Sequence, residues 1–221
     1  MDPRLNQLLQ NNTVWTGRHW QQQVPAHGTG YQELDQHLPG QGLPKGAITE
    51  IHYHQDGIGE LRLLMPMLAK LSQEKRWIIF IAPPHIPYGP ALAAMGVDLS
   101  KVLVVHPSKI KDELWTLEQA LKSGACSAVL AWPKDVTDPQ IRRLQLAAQK
   151  GDAMGIFFYR RQRAQSPAAL RLALSSQQNV VNIGIEKRKG GWPLPAQPMD
   201  LGNNAITGQH SANVLKGPWE H

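Results

Sequence analysis

Three short runs of the chain are apolar at nearly every position: "RWIIFIA" (76–82), "CSAVLAW" (126–132) and "MGIFFYR" (154–160). A strand with one wet face alternates apolar and polar residues. A strand that is apolar throughout is covered on both faces, as in parallel sheets whose crossover helices lie above and below. Helical spacing fills the gaps between these runs. "GELRLLMPMLAKLSQEK" places Leu61, Leu64, Leu68 and Leu71 on one face, with Pro66 as a candidate kink. "KDELWTLEQALKSG" is amphipathic and ends on Gly124, and "DPQIRRLQLAAQKGDA" offers Asp138 as a cap and Pro139 at the first helical position. With "AITEIHY" and "KVLVVHP" as further strands, the alternation predicts an α/β domain on a mainly parallel, twisted sheet flanked by helices.

The 221 residues allow one such domain with extensions. The expected segmentation is an N-terminal helix and linker over 1–28, the α/β domain over 29–188 and a flexible C-terminal tail over 189–221. The linker carries Trp15 and Trp20 after a short helix from Pro3 to Gln10. The tail has many breakers and no sustained period. Between domain and tail, "ALRLALSS" and "VVNIGIEKR" read as strands pairing at the sheet edge. The single cysteine, Cys126, lies in an apolar run and reads as a small core residue. The first residues, "MDPRLNQLLQNN", lack the basic-then-apolar order of a signal peptide, and the strongly apolar run from Trp77 to Ala82 is far too short to cross a bilayer. The expectation is a cytoplasmic protein without a membrane segment.

The loop in "EIHYHQDGIGELRLL" (50–64) raises the question of function. A strand, a polar turn with Gly57 and Gly59, and a helix are the layout of a phosphate-binding loop. That chemistry also needs a lysine for the β- and γ-phosphates and a hydroxyl for magnesium. Here Glu60 and Leu61 stand in those places. Glu60 sets a negative charge beside any polyphosphate, which is repulsive. The strand that would end on a magnesium-binding carboxylate ends on Trp132 and Pro133, with no acid before Asp135. Two unrelated requirements fail together, so neither nucleotide hydrolysis nor a cofactor is expected. His52 and His54 share a strand face but have no third ligand at a fixed spacing. Ser127 and Ser166 lack a nucleophile-elbow context. The sequence therefore predicts no catalytic or metal site.

Charge is concentrated. Between Arg160 and Lys189 lie seven basic residues against one acidic, an excess equal to the whole formal charge of +6. Such a segment suits an acidic partner, nucleic acid, or simply solvent.

"TGYQELDQHLPGQGLPKGAITEI", "GIGELRLLMPMLAKLS", "RWIIFIAPPHIPYGPALAAMGVDLSKVLVVHP" and "SPAALRLAL" resemble the ImuA proteins and their shorter relative SulA, within the RecA-like superfamily, from about Thr29 to Leu174. The resemblance implies a RecA-like fold with a degenerate P-loop at Gly57, Gly59, Glu60 and Leu61. The ImuA branch is favoured by the length of the C-terminal stretch. It implies a non-catalytic accessory protein of the DNA-damage (SOS) response that supports error-prone translesion synthesis through ImuB, an error-prone DNA polymerase and RecA. The SulA branch is the alternative, and implies a cell-division inhibitor that binds FtsZ and blocks its polymerisation. In the first reading, contact with a partner or with DNA falls to Arg160, Arg161, Arg163, Lys187, Arg188, Lys189 and Trp192, with Trp219 as a second aromatic anchor. Contact with DNA would be electrostatic and would weaken steeply with salt.

Overall fold

In the computed structural model, which describes residues 24–107, 109–134, 136–161, 165–177 and 180–202, each continuously apolar run is an interior strand. β1 (Ala26–His27) and β2 (Leu43–Pro44) pair as a small separate ribbon, with the short helix α1 (Gln32–Asp35) between them. The main sheet contains β3 (Ile48–Tyr53), β4 (Trp77–Ile81), β5 (Val102–Val105), β6 (Cys126–Ala131), β7 (Met154–Tyr159), β8 (Leu170–Gln177), β9 (Val180–Arg188) and β10 (Leu194–Met199). Their order is β10-β9-β8-β3-β7-β6-β4-β5. Every residue of β3, β6 and β7 is buried. The helices are α2 (Met65–Ser72), α3 (Gly89–Ala94), α4 (Ile110–Lys122) and α5 (Asp138–Gly151).

Side chains of β3 divide the interior by parity, as the two-residue period of a strand requires. Ile51 and Tyr53 join Leu64, Leu68 and Leu71 on the side of α2, together with Phe80, Leu130 and Phe158. Ile48 faces the other way, with Leu117 and Leu121 of α4 and Ile141 and Leu144 of α5. Cys126 is buried in this second layer, and burial pushes its thiol pKa up.

The expected RecA-like architecture, a mainly parallel sheet flanked by helices with a flexible tail, does not describe this molecule. The sheet is mixed. β8 lies parallel to β3, but β9 runs antiparallel to β8, and β10 antiparallel to β9. Only α2, α4 and α5 reach eight residues among the described segments. Leu194–Met199, expected in the tail, is the edge strand β10. Pro195 and Pro198 lack an N–H, which is tolerated at a sheet edge and not in its middle. β8 and β9 are interior strands, with β10 beyond them.

Two local details also differ. Thr137, rather than Asp138, caps α5: its side chain and that of Gln140 form a reciprocal capping box, which moves Pro139 one position inward. Pro66 does not kink a long helix. It sits in the first turn of α2, after a 3₁₀ turn at Arg62–Leu64. The expected helix from Pro3 to Gln10, Trp15, Trp20, Asp135, Arg163 and Trp219 lie outside the described residues.

Candidate functional site

β3 ends at Tyr53, and the chain turns back through Gly57 (φ 78°) and Gly59 (φ 112°). Both glycines occupy the left-handed region, where a side chain is strained. Successive backbone N–H groups in such a turn form a concave anion seat. The anion in that seat is the loop's own Glu60. Its carboxylate accepts from the Gly57 N–H at 3.1 Å and from the Gly59 N–H at 3.2 Å. Glu60 therefore does more than repel a phosphate, because it occupies the amides a phosphate would use. Leu61 packs against the core beside α2. A Cβ on Gly59 would stand 3.0 Å from Leu201 Cδ1 and 3.3 Å from Val181 Cγ2, so the loop is pressed onto the C-terminal strands.

Trp132 lies just past the end of β6, where a nucleotide site would need its magnesium ligand. Its ring stacks on Phe158 at 4.6 Å and 11° and lies over Phe80 at 6.3 Å and 17°. An indole thus fills the end of β6 where a magnesium-binding carboxylate would stand.

The basic segment does not form one patch. Arg160 follows β7 at the carboxyl end of the parallel strands and is ion-paired with Asp56, which also lies 3.7 Å from His85 Nε2. Arg161 is exposed at the same end. β9 runs antiparallel to β8 and sets Lys187 opposite Arg171 and Arg188 opposite Leu170, three strands across the sheet from Arg160. Most of these cations are engaged internally. Lys187 Nζ donates to the Ser166 carbonyl at 2.7 Å. Arg188 donates from Nε to the Trp192 carbonyl at 2.9 Å and from Nη1 to the His37 carbonyl. Lys189 is exposed, and Trp192 is 84% exposed at the turn beside it.

Arg171, counted with the basic segment, is buried. Its Nε lies 3.4 Å from Glu50 and its Nη2 3.2 Å from Glu186. Glu50 also accepts from Ser166 Oγ at 2.6 Å. His52, on the same face of β3 as Glu50, is bonded through Nδ1 to Glu186 at 2.7 Å. Burial holds the His52 pKa below its ordinary value, only partly opposed by Glu186. The ring is therefore neutral, and its Nδ1–H donates to the carboxylate. His54 is exposed, so the two histidines do not converge. No group of three metal-ligating side chains occurs among the described residues. This cluster cannot be read from the sequence, because the pairs depend on the β3–β8–β9 register.

The opposite edge of the sheet, β5, is apolar and exposed. Leu103 and Val104 are each 40% exposed. Leu99, on the 3₁₀ turn leading into β5, and Ile86 and Tyr88, in the loop after β4, add to the exposed apolar surface of this region. Sequence reasoning missed this surface because "KVLVVHP" reads equally well as an interior strand. No described helix is long and apolar enough to cross a membrane.

A domain whose anion seat is filled by its own side chain, and whose sheet edge is apolar and open, offers surfaces in place of a phosphate site. Its residues 46–155 match the family model for cell division inhibitor SulA. The cell division inhibitor SulA of Cronobacter sakazakii is 35% identical over 117 residues, covering 52% of this chain and 70% of that protein. The SulA of Serratia proteamaculans is 31% identical over 126 residues, covering 57% and 74%. That of Edwardsiella piscicida is 33% identical over 111 residues, covering 50% and 66%. A crystal structure of SulA from Pseudomonas aeruginosa is 26% identical and covers 50% of this chain and 95% of that one, at a TM-score of 0.42. This chain belongs to the SulA family. The ImuA assignment is overturned by the family match and the curated relatives, and with it the translesion role and the expected ImuB and polymerase partners. Length was a poor guide, because the C-terminal stretch that favoured ImuA continues the sheet as β9 and β10, beyond the matched residues.

Proposed function

We propose that this chain is a cell-division inhibitor of the DNA-damage response. It acts in the cytoplasm by binding the tubulin-like protein FtsZ and blocking its polymerisation, without catalysis. The observation that carries the reading is the apolar β5 edge, which lies within the residues matching the family. An edge strand presents unpaired backbone groups. Exposed apolar residues on and beside it are the composition of a protein contact, in which a few large side chains carry most of the energy. Ile86, Tyr88, Leu99, Leu103 and Val104 are the contact residues assigned here. The loop supports the same reading, since Glu60 already holds the Gly57 and Gly59 amides.

The test is to induce the full chain in a rod-shaped bacterium and score cell length, with sedimentation of purified FtsZ in parallel. Filamentous cells and a loss of sedimented polymer are expected. Normal division with unaffected polymer would refute the proposal.

A further inference from the structure

A cleft of about 720 Å³ opens at the carboxyl ends of β3, β6 and β7. This end of an open α/β sheet is where such folds place ligands, and the volume lies in the range of small-molecule sites. Its walls are aromatic: Tyr53 from β3, Phe158 and Tyr159 from β7, and Trp132 just past β6. Its rim is cationic. Lys134, Arg160 and Arg161 all line it and are exposed. Asp56 offsets Arg160, and Glu113 of α4 faces Lys134 with its own pKa raised by burial.

Two features exclude a nucleotide. The Trp132 ring is stacked on Phe158 at 4.6 Å, so that face takes no base. The amides that would hold phosphates are bonded to Glu60. What fits is a ligand with an apolar body against the aromatic walls and one anionic group reaching the rim. Arg161 and Lys134 belong to different connections, one after β7 and one after β6, and both line the cleft.

We propose that this cleft binds a small amphipathic organic acid, with an aromatic or branched apolar body and a single carboxylate. The proposal does not depend on the division reading.

The test titrates the full-length protein with anilinonaphthalene sulfonate, an aromatic anion whose emission rises in apolar surroundings. Phenylbutyrate and its uncharged amide serve as competitors. One saturable site is expected, displaced by phenylbutyrate and not by the amide. The K134Q/R161Q double variant changes only exposed rim positions and sets no second carboxylate beside Glu113. It is expected to weaken the probe about tenfold or more, as loss of roughly one charge-assisted contact implies, with an unchanged melting temperature. Competition on the wild type keeps the test independent of how that variant folds. Absence of a saturable site, equal displacement by the amide, or unchanged affinity in a folded double variant would overturn the proposal. Displacement by an acidic, phenylalanine-containing tetrapeptide but not by phenylbutyrate would also overturn it, in favour of a peptide-docking cleft.

Discussion

Replacing Glu60 with alanine should cost stability and, at the same time, create sensitivity to anions. The carboxylate accepts two backbone hydrogen bonds, at 3.1 and 3.2 Å, within a partly exposed loop. Each such bond contributes about 0.5–1.5 kcal/mol net, and water can replace part of it here, so the pair is worth about 1–2 kcal/mol. For a domain of this size that corresponds to a melting temperature lower by about 2–8 °C. The vacated amides then become available to solvent anions. Sulfate or phosphate, compared with chloride at matched ionic strength, should restore stability to Glu60→Ala by mass action and leave the wild type unmoved. Thermal melts of both proteins across the three salts decide it. If the variant melts within about 1 °C of the wild type, or if sulfate shifts both alike, Glu60 does not occupy an anion seat.

Arg171→Ala should be costlier, about 3–5 kcal/mol by urea denaturation, because it strands a Glu50 carboxylate that has no solvent exposure; a loss below about 1 kcal/mol would show that the ion pairs carry little. His52 makes stability acid-sensitive. Its folded pKa lies below the 6.5 of the unfolded chain, so the unfolded state binds more protons as pH falls. Stability should be level above that value and decline below it, and His52→Gln should flatten part of the decline in melts taken at successive pH values. Leu103→Asp and Val104→Asp should each abolish filamentation and leave stability within about 0.5 kcal/mol, since both side chains are substantially exposed; a variant that still filaments cells would move the contact elsewhere.

The interior of the sheet was legible because burial on both faces writes itself into consecutive residues: "WIIFI" and "MGIFFY" are strands β4 and β7 as the apolar runs require. The edges were not. β5 carries the same apolar composition as its neighbours and differs only in having one partner, a fact of topology. β10 was hidden by Pro195 and Pro198, which signal a break unless the strand is already known to be at an edge. Charge misled in a similar way. Arg160 and Lys187 read as one basic segment but lie three strands apart in the sheet, and Arg171 reads as basic surface until the register sets it against Glu50. The missing lysine of the loop was plain in the sequence. That the replacing glutamate bends back onto Gly57 and Gly59 required coordinates, although an acid directly after a Gly-x-Gly turn was the available hint.

The position of Trp132 makes a gain of triphosphate chemistry by single substitutions unproductive. A lysine at position 60 would free the loop but find no metal-binding group opposite. A carboxylate at position 132 would lose the stacking on Phe80 and Phe158 and place a charge against their rings. Neither change alone supplies a triphosphate site, and the second removes the ring stacking that fills this end of the sheet.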